Sequence, residues 1–265
     1  MREHVRGAAN REPMRRLSLG TVLTAVNVGL VAAAVLCLVA AAAGLLRRLT
    51  DEQALARVGL ASSNALRAVE RAGEGARVSA RLLAEGPTLG RLVQERDAPG
   101  LQDLFARFRR TNNLSGCAVL LEGDPLARDG GAVPWGAIAR LPRGTDDRFV
   151  LRAGGDGPLV LGARAAVPSV PQASVVTALI LDEAFVRATS RQVGLPVTIL
   201  DRRQALLEAP QAPLRSRALD AEEPVAERLD DAGLYVAVQP LRGPGGEVIG
   251  LIETEIGRAS CRERV

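Results

Sequence analysis

A long apolar stretch lies near the start of the chain. Residues 17–46 are uncharged and mostly apolar, and arginine pairs flank them at positions 15–16 and 47–48. A helix rises ~1.5 Å per residue, so this run exceeds the ~20 residues needed to cross the hydrocarbon core of a bilayer. It is also longer than the apolar region of a cleaved signal peptide, roughly 7–15 residues. The pattern therefore predicts a retained transmembrane helix, with cleavage near alanines 41–43 as the alternative.

The arginines before the span predict its orientation. Residues 1–16 carry five arginines and two glutamates, and the first charges after Arg47 and Arg48 are Asp51 and Glu52. An excess of arginine marks the side of a span that stays in the cytoplasm. We therefore expect a short cytoplasmic N-terminal segment, a single span in the inner (cytoplasmic) membrane, and residues 49–255 outside the cytoplasm.

A second pattern of helical period follows the span. Between residues 50 and 85, small and apolar side chains recur at steps of three and four and define what we call the 55–83 face: Leu55, Val58, Ala65, Val69, Ala72, Ala76 and Leu83. Thr50 and Gln53 fit a capping box, and Gly86-Pro87 ends the pattern. We assign residues 47–99 to a helical stalk and expect the 55–83 face to join two copies into a homodimer.

Beyond a further helix at 101–110, the period changes to that of strands. Residues 122–125 have turn composition, and Asp182 is placed to begin a short helix. The predicted strands are 116–121, 148–152, 159–167 and 174–181 before that helix, and 197–200, 205–207, 234–238 and 248–253 after it. This order predicts an α+β fold with two antiparallel-sheet modules in tandem, at residues 100–182 and 183–255.

The last predicted hairpin carries a family resemblance. A strand from Tyr235 ends in Pro240-Leu241, a glycine turn follows at 243–246, and a Val-Ile-Gly-Leu strand begins at Val248. With the span and the long helix, residues 50–255 resemble the extracytoplasmic Cache-type (PAS-like) sensor region of bacterial transmembrane receptors. The resemblance implies the ligand-sensing input region of a signal-transduction receptor. It favours a histidine kinase as output, with a diguanylate cyclase or a chemotaxis receptor as alternatives, and a single-pass envelope tether as a different class.

The net charge does not point to nucleic acid. The chain has a net charge of +4, of which residues 1–16 contribute +3, Arg47 and Arg48 +2, and residues 256–265 another +2. The remaining residues therefore carry −3. A protein that binds nucleic acid non-specifically needs a cationic surface, so the predicted outer domain lacks the electrostatic basis for that function.

The residues that usually carry catalysis are scarce. The single histidine, His4, precedes the span, and the chain has no lysine. Cys117 is the one cysteine between the span and residue 256, and its apolar neighbours indicate a small buried side chain. Asp146-Asp147 and Glu222-Glu223 have the sequence context of solvated loops. The sequence thus indicates no catalytic residue, no metal site and no cofactor.

A ligand pocket is expected in the first module, where residues 132–141 would cross the sheet. Trp135 is the only tryptophan, and Arg140, Arg152 and Arg164 lie on or beside predicted strands. Arginine binds carboxylates through two parallel hydrogen bonds. We therefore predict a small, anionic ligand at these four residues, with a core position for the indole as the alternative for Trp135.

Residues 256–265 form an unusual end. The sequence Ile-Gly-Arg-Ala-Ser-Cys-Arg-Glu-Arg-Val resembles the translation of a common sequencing-library adapter. We interpret these ten residues as an artefactual tail, and we expect the native protein to continue beyond Glu255 with its own sequence.

Overall fold

A computed structural model describes residues 19–141, 148–152, 157–243 and 246–257 of the chain. The chain divides into two compact units, residues 1–51 and 52–265. Several segments named above lie outside the described residues: the N-terminal segment 1–18, Asp146-Asp147, and residues 258–265.

The helix α1 spans Leu19–Ala84. Its segment Val26–Ala84 contains an 18-residue window with a mean hydropathy of 2.6 and no buried residue. By length and composition, this is the one helix of the described residues that is able to cross a membrane. The predicted apolar helix is therefore present.

Thr50 does not begin a helix. It lies inside α1, and its Oγ1 donates a hydrogen bond to the carbonyl oxygen of Leu46 at 2.8 Å. The predicted capping box at Thr50 and Gln53 is wrong because the helix continues unbroken and the hydroxyl bonds to the preceding turn.

Two shorter helices follow α1, so the stalk predicted at 47–99 is interrupted. Helix α2 covers Pro87–Gln94 and α3 covers Ala98–Thr111. The break at Gly86-Pro87 occurs where the sequence predicts it, with proline in the first turn of α2. Asp97 caps α3, since its carboxylate accepts a hydrogen bond from the Gly100 amide at 3.0 Å.

The first sheet has five antiparallel strands in the order β2-β1-β5-β4-β3. The strands are β1 (Gly116–Leu121), β2 (Asp124–Asp129), β3 (Arg148–Arg152), β4 (Leu159–Val167) and β5 (Val170–Ile180), with helix α4 (Trp135–Ala139) between β2 and β3. β2 was not predicted. Glu122 and Gly123 turn the chain tightly through positive φ values of 56° and 106°, so the next residues already return as a strand.

The second sheet has four antiparallel strands in the order β6-β9-β8-β7. The elements after the first sheet are α5 (Glu183–Val193), β6 (Val197–Asp201), α6 (Arg202–Ala205), α7 (Ala212–Ala221), β7 (Val225–Leu229), β8 (Leu234–Arg242) and β9 (Val248–Gly257). Asp182 caps α5 as predicted. The strand predicted at 205–207 is wrong, because Asp201 and Gln204 form a capping box that starts α6.

The two sheets repeat one strand order. β6, β9, β8 and β7 of the second sheet correspond to β1, β5, β4 and β3 of the first, and β2 has no counterpart. The predicted α+β fold with antiparallel sheets is therefore confirmed.

One face of α1 packs against both sheets. Val58, with Ala54 and Ala61, packs on Tyr235 and Ile256 of the second sheet. Ala65 and Val69 lie where the sheets meet, among these partners: Leu159, Leu161, Leu181, Val197, Leu241 and Ile252. Farther along, the end of α1 joins α2 and α3 over the first sheet.

The 55–83 face is thus buried inside its own chain. Val58 and Ala65 are completely inaccessible, and Val69 is 2% exposed. The face therefore cannot join two copies, and the predicted dimer interface is wrong, because strands of both sheets cover this face within one chain.

Two threonines anchor α1 to the sheets. Oγ1 of Thr177 on β5 donates to the carbonyl oxygen of Ala76 at 2.8 Å, and Oγ1 of Thr254 on β9 donates to that of Val58 at 3.0 Å. Both threonines are inaccessible to solvent and lie on corresponding strands. Val58 and Ala76 are 18 residues apart, about five turns or ~27 Å, so the two carbonyls lie on the same side of the helix.

Strand β9 includes Ile256 and Gly257, the first two residues of the segment interpreted as an artefactual tail. Ile256 is opposite Tyr235 on β8 and is 5% exposed. The origin of residues 256–265 stays a prediction.

We expect Thr177→Val and Thr254→Val each to lower the free energy of unfolding by about 1 kcal/mol, because each removes a buried hydrogen bond while keeping the side-chain shape. Since the anchors are far apart, the double variant should lose about the sum. Thermal unfolding of the full chain in detergent measures this, with the exposed Thr198→Val on β6 as the control. Equal losses for Thr254→Val and Thr198→Val would contradict the anchoring role.

Candidate functional site

The face of the first sheet that points away from α1 is covered by α4. Along β4, Val160, Gly162 and Arg164 share this face, while the alternate residues point towards α1. Apolar side chains fill the space between the sheet and α4: Ala118, Leu120, Val133, Trp135, Ile138, Phe149, Val160, Val176, Ala178 and Ile180. We call this region the α4 face. It is the place where the sequence predicts a ligand pocket.

Trp135 forms the start of α4 and is only 4% exposed. Its Nε1 donates a hydrogen bond to the carbonyl oxygen of Gly130 at 2.9 Å. On β1, a Cβ at Gly116 would lie 2.7 Å from the indole ring, so glycine is needed for the ring to pack there. The indole is thus a core group with its one polar atom satisfied, which is the alternative that the sequence left open.

Arg164 meets the other end of α4. Its Nη2 donates to the carbonyl oxygen of Ile138 at 2.8 Å, and its Nη1 donates to that of Leu141 at 3.4 Å. These carbonyls belong to the last turn of α4 and the residues after it, where intrahelical donors run out. The structure therefore brings Trp135 and Arg164 to the same face, with the guanidinium engaged by backbone.

Arg140 and Arg152 lie apart from this pair. Arg140 is exposed, and its Nε donates to the carbonyl oxygen of Gly136 within the same helical turn at 3.0 Å. Arg152, at the end of β3, forms an ion pair with Asp201 at the end of β6. The four predicted residues are thus divided between the α4 face, the surface and the junction of the two sheets.

Asp201 is the residue at this junction that sequence reasoning missed. It is 5% exposed, and its Oδ1 accepts hydrogen bonds from the amides of Arg203 at 2.7 Å and Gln204 at 3.0 Å. Its Oδ2 faces Arg152 of the first sheet. The Asp-x-x-Gln spacing was the available signal, since it is typical of a helix start. This carboxylate links the two sheets while it caps α6.

A second buried ion pair occupies the corresponding face of the second sheet. Arg215 on α7 donates to both carboxylate oxygens of Glu253 on β9, at 2.7 and 2.9 Å. The two residues are 8% and 4% exposed. Glu253 was missed by sequence reasoning because no periodic pattern pairs a helix with a distant strand. The pair is fully engaged, and its geometry is that of a structural link between α7 and the sheet.

The described residues offer little for covalent chemistry. Among them, no three histidine, cysteine, aspartate or glutamate side chains cluster in a way that could hold a metal ion. Cys117 on β1 is completely buried, and burial is the main cause that raises the pKa of its thiol to about 12; nearby Asp129 contributes to this rise, and Arg109 opposes it. Cys117 is therefore a neutral core thiol at physiological pH.

Comparison with solved structures identifies the architecture. The periplasmic domain of Vibrio cholerae LuxQ superposes with a TM-score of 0.57 at 11% sequence identity, covering 76% of this chain and 99% of that domain. This chain shares the fold of that periplasmic domain. The extracellular domain of vpHK1S-Z8, provisionally described as a histidine kinase, gives a TM-score of 0.52 at 12% identity over 82% of this chain and 96% of that one.

A more distant sensor-domain match has a bound ligand. The ligand-binding domain of the Campylobacter jejuni chemoreceptor Tlp3, in complex with L-norvaline, gives a TM-score of 0.49 at 10% identity, over 82% of this chain and 95% of that one. No protein-family model matches this sequence, and no curated protein matches it either. The likeness to solved structures thus concerns the fold alone.

We expect Arg152→Gln to destabilise the fold by about 2 kcal/mol, because it leaves the buried Asp201 carboxylate without its cation. Asp201→Asn keeps the helix cap, so the double variant should lose less than the sum of the single variants. Denaturant unfolding of all three variants measures this coupling. Arg187→Gln is the control, since its exposed pair with Glu183 should contribute less than about 0.5 kcal/mol. A strictly additive double variant would show that the ion pair does not couple the sheets.

Proposed function

We propose that this chain is the ligand-sensing input region of a membrane-bound bacterial receptor. The observation that carries the proposal is that α1 contains a membrane-span candidate and also forms the shared core of the two sheets. A change in either sheet therefore acts on a helix that also contains the span candidate. Ligands act on such receptors by favouring one of two arrangements of packed elements.

A histidine kinase is the output that we propose for this receptor. The likeness to the domains of LuxQ and vpHK1S-Z8 supports an input region, and of these two proteins vpHK1S-Z8 is the one described, provisionally, as a histidine kinase.

We also propose that the span lies in the inner membrane with residues 49–255 outside the cytoplasm, as the arginine excess before the span favours. A homodimer stays a prediction, and its interface has to use a surface other than the 55–83 face.

We propose the α4 face as the site of ligand sensing. Trp135 and Arg164 lie at opposite ends of α4, so a ligand carboxylate that binds Arg164 would compete with the carbonyl oxygens of Ile138 and Leu141. Such a ligand would release the end of α4 from the sheet. This competition offers a physical route from binding to a change of packing.

Cysteine labelling in intact cells tests the topology. In a Cys37→Ser, Cys261→Ser background, Leu207→Cys should react with a membrane-impermeant maleimide, since Leu207 is 64% exposed. Cys117 should stay silent because burial raises the pKa of its thiol to about 12. Ala9→Cys, before the span, is the matched control and should react only after lysis. Labelling of Ala9→Cys but not Leu207→Cys in intact cells would reverse the proposed orientation.

Ligand screening tests the α4 face. We expect a small organic acid or amino acid to raise the unfolding midpoint of the full chain in detergent and to shift the emission of Trp135, the only tryptophan. Arg164→Ala should weaken the binding of that compound about tenfold to a hundredfold, the effect of losing a charged hydrogen-bonded contact. Arg140→Ala, on the exposed side of the same region, is the control. Binding that is insensitive to Arg164→Ala would exclude the α4 face as the sensing site.

A further inference from the structure

A cationic groove lies beside α1, at the edge of the first sheet formed by β3. It has a volume of about 830 Å³ and is lined on α1 by Asn64, Arg67, Glu70, Arg71 and Glu74. Arg148 at the start of β3 closes it on the side of the first sheet, and Gln192 and Val193 at the end of α5 close it on the other side. Three elements that are distant in sequence therefore meet around one space.

The groove continues into a smaller, mostly apolar space of about 240 Å³. The two share Glu70 and Arg148, so they are neighbouring parts of one groove. The inner part is lined by Val69, Gly73, Phe149, Val150, Leu161 and Leu241, among others. It provides an apolar surface directly behind the arginines.

Gly73 adds to the inner space. It lies in the interior of α1, where glycine is unfavourable because it gives up more backbone freedom than other residues. A Cβ at this position would meet no atom within 4 Å, so no close contact of the chain with itself requires glycine here. The missing side chain leaves room next to Val69 that a ligand can use.

The charges around the groove favour an anion. Arg67, Arg71 and Arg148 contribute three guanidinium groups. Of the two carboxylates, Glu74 is neutralised by Arg77, which donates to its Oε1 at 2.6 Å. Glu70 is then the one acidic group of the lining without such a neutralising pair among the described residues. The groove therefore has a net positive charge, and planar guanidinium groups are well suited to carboxylates.

We propose that this groove binds a small organic dianion with a compact apolar part. Its anionic groups would reach the guanidinium groups of Arg71 and Arg148, and its apolar part would enter the inner space beside Gly73. The size and mixed lining fit the usual range for small-molecule sites, roughly 300–1,000 Å³. The site contacts α1 itself and does not depend on ligand binding at the α4 face.

Phthalate is a suitable probe because it joins two carboxylates to an aromatic ring. Isothermal titration of the full chain in detergent should show phthalate binding, and saturation at 100 times the dissociation constant should raise the unfolding midpoint by about 5 °C. Arg71→Gln/Arg148→Gln should weaken binding at least tenfold. Arg57→Gln/Arg107→Gln is the matched control, because it removes the same charge from exposed positions outside the groove.

A second pair of variants tests the inner space. Gly73→Leu should fill it and weaken phthalate binding at least tenfold, while the binding of sulfate, a dianion with no apolar part, should stay unchanged. Gly75→Leu, two residues along on the exposed side of α1, should change neither. Unchanged or raised unfolding midpoints for both leucine variants without phthalate show that the fold is kept.

Three results would overturn the proposal. They are no phthalate binding by the unmodified chain, equal affinities of the two double-arginine variants, and equal effects of Gly73→Leu and Gly75→Leu. The α4 face is tested separately, since Arg164→Ala should leave phthalate affinity unchanged. Phthalate binding that is lost in Arg164→Ala and retained in Arg71→Gln/Arg148→Gln would place the anion at the α4 face and exclude the groove.

Discussion

The fold depends on one face of α1 that two sheets share. Ala65 and Val69 lie where strands of both sheets meet, so their burial contributes to both halves of the domain at once. Burying a small apolar side chain contributes about 1–2 kcal/mol, and this face buries such side chains along its whole length. Removing α1 would expose the inner face of each sheet to water. The helix is therefore the common core of the domain and not a stalk that carries it.

The two sheets share a plan but use it differently. Thr177 and Thr254 lie on corresponding strands, and each donates to a carbonyl of α1. On the opposite faces, each sheet holds its covering helix with an arginine. In the first sheet, Arg164 donates to the carbonyl oxygens of Ile138 and Leu141 at the end of α4. In the second, Arg215 binds the buried carboxylate of Glu253, so that its guanidinium is already satisfied by a charge.

The spacing of apolar residues in the sequence predicted two kinds of element: helices that bury one face, and strands in which nearly every side chain is buried. The apolar run at Gly116–Leu121 and the stripe on α1 are examples of these two kinds. Prediction failed where polar residues interrupt the pattern. Strand β2 begins with Asp124 and ends with Asp129 at the edge of the first sheet, so the start of its sequence has the composition of a turn. In α7, the buried Arg215 interrupts the apolar stripe of the helix. Its charge is balanced by Glu253 on β9, which is distant in sequence, so no local pattern indicates that Arg215 is buried.

The candidate site was predictable only in part, for the same reason. Placing residues 132–141 across the sheet was enough to bring Trp135 and Arg164 to one face. The partner of Arg152 was not predictable, since Asp201 belongs to the other sheet and pairs through tertiary packing alone. The groove beside α1 has no signal of its own in the sequence. Its arginines look like the solvated side of a helix until β3 and α5 are placed next to them.

The spacing of the two threonine anchors restricts how this protein can evolve. A helix turns about 100° per residue, so inserting or deleting one residue between Val58 and Ala76 would turn one carbonyl away from its threonine. A change of seven residues nearly restores the direction but shifts the anchor by ~10 Å along the axis, away from its strand. Insertions and deletions should therefore be rare in this stretch of related chains and common in the loops. A conserved length between the anchors, even where the side chains differ, would mark relatives that pack both sheets on one helix.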